Sequence, residues 1–190
     1  VIEGSREISV ADKDSLDKLR SEAYRTLVSD VNYKFWMRQS TLASVEWAQA
    51  NGVLPTFNFR EGVFEWAGEI GGAKLESLKA SQKGCPLCNM VCGAEIRDHE
   101  GTISELDYEN VAMLGSNLGI SDLRQIAVLN RLCDDYGIDT ISAGNVIGFL
   151  MESYEKKFVK ERVEWGDYQR ARTILEDIVH HLVGHLSAGL

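Results

Sequence analysis

The residues best suited to do chemistry are the cysteines of Gly84-Cys85-Pro86-Leu87-Cys88-Asn89-Met90-Val91-Cys92-Gly93, where three of the four cysteines in the chain fall within eight positions. The spacing C-x2-C-x3-C lets three thiolates face one centre while the amides between them face inorganic sulfur, so the stretch reads as the ligand loop of an iron–sulfur cluster with its fourth ligand elsewhere. Pro86 suits the start of a turn, since it lacks an N–H that would go unpaired there. Two blander readings stand beside this one. Buried free cysteines act as small apolar residues, and structural zinc closes with two C-x2-C or C-x2-C/H pairs, of which this chain has one.

A second group of candidates lies in Asp134-Asp135-Tyr136-Gly137-Ile138-Asp139-Thr140. Gly137 is placed to take the left-handed conformation that ends a helix, and Asp139 to cap the next one; these roles alone could account for both. Asp134 and Asp135 fit that account badly, because a carboxylate in the last turn of a helix faces the negative end of the dipole at a cost of about 0.3–1 kcal/mol. A ligand rich in N–H groups would offset this, and we expect Asp134 and Asp139 to grip the amino and ring N–H groups of a heterocycle. His181 and His185 are four apart on an expected helix, a spacing that can chelate a metal. They border the apolar stripe Ile178, Leu182, Leu186 and read as packing or surface residues; nothing marks His99 as catalytic.

These residues must be positioned by helices. Asp12 to Asp30, Lys34 to Ala50, Leu106 to Leu114, Ser121 to Tyr136, Asp139 to Lys156 and Asp167 to Leu186 carry helical periodicity, and Ala73 to Lys79 a short helix leading into the cysteine loop. The helices on either side of the acidic turn are apolar almost all round, which predicts interior helices. Val53 to Gly72 is irregular and aromatic and must pack against something; Ala94 to Glu105 reads as a polar loop. Cys133 reads as core. Only Glu7-Ile8-Ser9-Val10 alternates, as an edge strand from a preceding domain, so the expected class is all-α, with residues 1–10 a remnant and 11–190 one helical domain.

A chain of 190 residues, 44% hydrophobic and 26% charged, is long enough for a real core and ordinary for a globular protein. No apolar run approaches the roughly 20 residues that span a bilayer. A net charge of −9 argues against a nucleic-acid partner, and clustered cysteines fit a reducing cytoplasm better than a disulfide framework. The chain does not begin with Met and is expected to be a piece of something longer.

Taken together, Leu54-Pro55-Thr56 with Asn58-Phe59, the three-cysteine loop, Asp107-Tyr108-Glu109, Leu114-Gly115-Ser116-Asn117 with Gly119-Ile120, and Asp134-x-x-Gly137-Ile138-Asp139-Thr140-Ile141-Ser142 resemble the helical middle region of the aldehyde:ferredoxin oxidoreductases, tungsten (sometimes molybdenum) bispterin enzymes. The resemblance implies that Cys85, Cys88 and Cys92 are three of four ligands to a [4Fe-4S] cluster. It implies that Asp134, Gly137, Ile138 and Asp139 form one of two pterin-binding motifs, and that Glu109 is an acidic residue near the tungsten that could move a proton. The implied reaction takes an aldehyde and water to a carboxylic acid and passes two electrons to ferredoxin, with the missing N- and C-terminal domains of the parent chain as partners and room for a homo-oligomer. The chain departs from the family in ending before the second motif and its fourth cysteine, and in lacking the N-terminal β domain. Two alternatives stay open: a standalone helical metal or Fe–S binding module, and the same family acting on another substrate such as an aromatic acyl-CoA.

Overall fold

The computed structural model describes residue 4, residues 9–86 and residues 88–187, with side chains described as far as residue 181. Nine α-helices, two 3-10 turns and three strands make up these residues: α1 (Lys13–Ser29), α2 (Tyr33–Gln39), a turn at Ser40–Leu42, α3 (Ala43–Ala50), α4 (Ala67–Ile70), α5 (Gly72–Leu78), β1 (Lys79–Lys83), β2 (Gly93–Arg97), β3 (Ile103–Leu106), α6 (Tyr108–Leu114), a turn at Ser116–Leu118, α7 (Leu123–Tyr136), α8 (Thr140–Glu155) and α9 (Tyr168–Ser187). Glu7 and Ile8 of the expected edge strand and the side chain of His185 lie outside the described residues.

The fold is mostly helical but not all-α, because the polar stretch expected to be a loop pairs into an antiparallel sheet in the order β1-β2-β3. Its alternation is hidden in the sequence. Ser104 points inward and Ile103 outward, the reverse of what hydropathy suggests, because Ser104 Oγ donates to the buried Asp98 carboxylate (2.8 Å). Asp98 also accepts from the Glu100 and Thr102 N–H groups, both at 2.9 Å, and from Arg131 Nε at 2.9 Å. Burial works against its charge, but these donors outweigh it and hold the carboxyl below its ordinary range. Glu95 and Glu105 stand directly opposite each other, a repulsive pairing that Ser81 Oγ relieves on one side (2.5 Å) and Lys83 Nζ on the other (2.7 Å).

The core lies among α6, α7, α8 and the turn between α6 and α7, with Val111, Leu114, Leu118, Ile126, Leu129, Ile147 and Met151 all out of solvent. α7 is interior over residues 126–133, while Arg124, Asp134, Asp135 and Tyr136 towards its ends are exposed. α8 is not an interior helix. Ala143, Gly144, Ile147, Gly148 and Met151 face inward, while Ile141, Val146 and Phe149 stand exposed at 43%, 49% and 63%. Gly144 lets α8 approach α6 closely, since a Cβ there would lie 2.5 Å from the Met113 carbonyl oxygen.

The helix expected over Lys34 to Ala50 breaks at Ser40, whose φ of 54° no helix allows. Beyond the break, Thr41 Oγ1 donates to Asp107 Oδ1 (3.0 Å) and accepts from Tyr108 N (3.0 Å), so a tertiary contact overrides local propensity. The aromatic segment packs as its greasiness requires, with Leu54, Phe64 and Ile70 buried. Within it, Phe57, Asn58 and Phe59 all have positive φ (48°, 56°, 60°), at about 1–2 kcal/mol each for L-residues. Phe57 N and Asn58 N donate to the Ser116 and Asn117 carbonyls and Phe59 N to Asn117 Oδ1, which holds the turn in place.

Candidate functional site

The cysteine loop is the connection between β1 and β2, and its stem closes where Lys83 pairs with Gly93. Strand pairing therefore fixes both ends of the loop. Gly84 packs on Val91, where a Cβ would come within 3.0 Å of Val91 Cγ1. Inside the loop, Cys88 N donates to the Cys85 carbonyl (3.1 Å) and Met90 N donates to Cys88 Sγ (3.4 Å), the kind of N–H to sulfur contact that tunes a cluster. Cys85 and Cys88 are exposed and Cys92 is half-buried. Burial first, then the nearby Asp107 and the two other cysteines, pushes the Cys92 thiol up. Among the described residues, no three His, Cys, Asp or Glu side chains converge on one point. The three thiols on their fixed stem are nonetheless soft donors, a set whose chemistry suits an iron–sulfur cluster.

Beyond the stem lies a polar cavity of about 220 Å³ lined by Glu105, Asp107, Asn110, Asn130, Asp134 and Thr140. β3 and its continuation supply Glu105 and Asp107, and α7 supplies Asn130 and Asp134 one helical turn apart. Asn130 is buried (3% exposed), and its Nδ2 donates to the Glu105 carbonyl (2.9 Å) and to Asp134 Oδ2 (3.3 Å). Asn110 and Asp107 form a reciprocal capping box at the start of α6. The cavity wall is rich in acceptors and suits a ligand edge rich in N–H donors. Burial raises the carboxyls of Asp107 and Asp134 above their ordinary values; Glu105 adds to this at both, and Lys83 opposes it at Asp134.

The acidic turn itself forms as expected. Gly137 takes the left-handed conformation (φ 68°) at the end of α7, and Ile138 packs partly buried against the core. Asp139 caps α8 through Ser142 N (2.7 Å), so the cap role expected for it is borne out. The structure brings Asp134 into the cavity but gives the Asp139 carboxylate to Ser142, and a ligand reaching Asp139 would have to share it. Asp135, which the dipole argument left unexplained, pairs with Arg131 (3.3 Å). Glu109 is exposed in the first turn of α6, two residues from Asp107. Cys133 is core: burial first, then Asp134 and Asp139, pushes its thiol up to about 12.

Sequence reasoning missed Glu105, Asn110 and Asn130. Asn130, set within the apolar run of α7 four residues before Asp134, was the available signal, since buried amides need partners.

No described helix is long and apolar enough to cross a membrane. The family description "Aldehyde ferredoxin oxidoreductase, domains 2 & 3" matches residues 18–188. The tungsten-containing aldehyde ferredoxin oxidoreductase of Pyrococcus furiosus is 34% identical over 185 residues, covering 96% of this chain and 30% of that protein. The protein of the same name from Thermococcus kodakarensis is 33% identical, with the same coverage. A Pyrococcus furiosus protein named aliphatic sulfonate oxidoreductase, WOR-like subunit, is 29% identical over 90% of this chain and 29% of its own length. The chain thus spans about 30% of the length of these relatives. With the match covering nearly all of the chain, including the cysteine loop and the acidic turn, the chain belongs to the aldehyde ferredoxin oxidoreductase family, a family of oxidoreductases.

Proposed function

We propose that the chain is the part of a tungsten–pterin, iron–sulfur oxidoreductase that holds the cluster and one edge of the pterin. The observation that carries this reading is that the stem of the cysteine loop and the acceptor-lined cavity share one wall, the segment from Glu105 to Asp107. Cys85, Cys88 and Cys92 would supply three ligands to a [4Fe-4S] cluster, with the fourth from another part of the parent chain. Asp134, oriented by Asn130, would accept from the amino and ring N–H groups of the heterocycle. Gly137, Ile138 and Asp139 set the turn that carries it.

When bound, the tungsten (or molybdenum) centre supplies the two-electron oxidation. The overall reaction we assign is aldehyde plus water to carboxylic acid, with release of two protons and two electrons, the electrons leaving singly for ferredoxin. Glu109 stands on the same helix start as Asp107 and would accept or return a proton at its carboxylate. The relative named as a sulfonate oxidoreductase favours a second reading within the same family, in which the substrate is not an aldehyde.

The test is metal analysis and electron paramagnetic resonance of the full-length protein carrying this chain, with aldehyde and sulfonate oxidation assayed in parallel. We expect tungsten or molybdenum, about four irons in one cluster, and loss of the cluster signal in Cys88→Ser. A full-length protein containing neither iron nor tungsten nor molybdenum would refute the reading.

A further inference from the structure

We propose that Lys83 is a positioning residue for the electrostatics of the cysteine loop, its fixed positive charge setting the potential at which the cluster held there takes up an electron. This rests on the reading of Cys85, Cys88 and Cys92 given above.

Lys83 is the last residue of β1 and pairs with Gly93 across the stem. It therefore borders both ends of the loop: Cys85 is two residues further on, within about 7 Å along the backbone, and Cys92 precedes its cross-strand partner. Charges at ordinary salt act over a Debye length of about 8–10 Å, the scale of the stem itself, so a charge carried there bears on the loop even though the side chain meets solvent. Its ammonium lies 2.7 Å from Glu105 Oε2.

The stem is built around this pair. A Cβ at Gly93 would come within 2.6 Å of Glu105 Oε1 and 2.7 Å of the Lys83 carbonyl oxygen. Only a residue without a side chain lets the Glu105 carboxylate lie over the loop exit, with Lys83 upon it.

The charged groups that act on Lys83 at the stem are negative. Glu105, Glu95 and Asp134 act on Lys83, and Asp107 acts on Cys92. Of the neighbouring cations, Lys79 is engaged with the Met37 and Arg38 carbonyls, Arg97 with the Gly101 carbonyl and Arg131 with Asp98, Glu100 and Asp135, while Arg20 and Arg25 of α1 stand by the middle of the loop, lining a pocket with Cys88 and Asn89. Lys83 is thus the cation at the stem, placed to offset the carboxylates there. Adding one electron makes the cluster more negative with no transfer of atoms, and a nearby positive charge favours that reduced state, raising the potential.

A plain edge-strand lysine would also be solvated and paired, and an exposed ion pair adds little to stability. That separates the two roles by experiment. The full-length protein with its cofactors is titrated with dithionite and the cluster followed by electron paramagnetic resonance, in wild type, Lys83→Gln, Lys83→Arg and Glu105→Gln.

Expected are a lower midpoint potential in Lys83→Gln, a wild-type value in Lys83→Arg and a higher one in Glu105→Gln. Iron content and melting temperature should stay unchanged in both lysine variants, and the Lys83→Gln shift should shrink as ionic strength rises. Lys83→Gln titrating at the wild-type potential with full iron would overturn the proposal while leaving the cysteine assignment intact. A shift shared by Lys83→Arg, or indifferent to salt, would mark a change in loop shape and overturn it as well. A wild-type protein without any cluster would instead overturn the cysteine assignment, and the inference with it.

Discussion

Asp134 carries opposite demands on stability and on binding. Burial raises its carboxyl above the ordinary 3.8, Glu105 adding to the effect and Lys83 opposing it. A carboxyl raised by folding gives stability that is fully present below its unfolded value and is lost as pH rises through its folded value. Asp134→Asn removes that loss and keeps an oxygen to accept from Asn130. It is therefore expected to raise the melting temperature of this chain at neutral pH, with the gain vanishing in melts below pH 3.8, while lowering pterin-metal retention in the full-length protein. An unchanged or lowered melting temperature at neutral pH would mean that the cavity does not penalise the charge. Asp98 has the opposite sign. Its carboxyl is held low, so its contribution is present above the ordinary value and lost as pH falls through the folded one. The buried Asp98 and the cavity-lining Asp134 thus do different jobs, and what separates them is the set of donors each one meets.

At the scale of the elements, the acidic turn and the cysteine loop differ in what holds them. The turn between α7 and α8 is local: Gly137 for the left-handed residue and Asp139 for the cap are enough to specify it, which is why both roles were legible in the sequence. The loop depends on partners distant in sequence, since β2 must pair with β3 and β3 must meet Asn130 of α7. Ser104 turned inward and Glu95 facing Glu105 erase the alternation from which strands are recognised, and so the sheet was not legible. Helix packing gives a sharper test. Gly144→Ala adds a Cβ 2.5 Å from the Met113 carbonyl, and backbone cannot move aside as a side-chain tip can. The overpacking cost of about 1–3 kcal/mol should exceed the gain of about 1 kcal/mol in helix propensity. Urea denaturation should show net destabilisation, whereas Gly68→Ala, with nothing within 4 Å of its Cβ, should be neutral or stabilising. Equal effects at the two sites would argue against close contact between α6 and α8.

For the molecule as a whole, α1 has no buried residue, and α8 turns Ile141, Val146 and Phe149 outward. Apolar surface of this kind in the isolated chain is expected to bind 8-anilinonaphthalene-1-sulfonate and to promote self-association. Phe149→Lys should reduce both while changing stability by no more than about 0.5 kcal/mol; loss of folding instead would show that Phe149 belongs to the core. The sequence alone determined most of the longer helices, the acidic turn and the family, because periodicity, caps and motif spacing are written in consecutive residues. Only the tertiary structure decided that the polar stretch after the loop is a sheet, that α8 is half exposed, that Asp139 is spent on its own helix, and that Asn130, Glu105 and Lys83 join the loop to the cavity. The physical reason is that a strand finds its hydrogen bonds in other segments and a buried amide or ion pair is chosen by what folds against it, whereas a helix satisfies its own backbone from within.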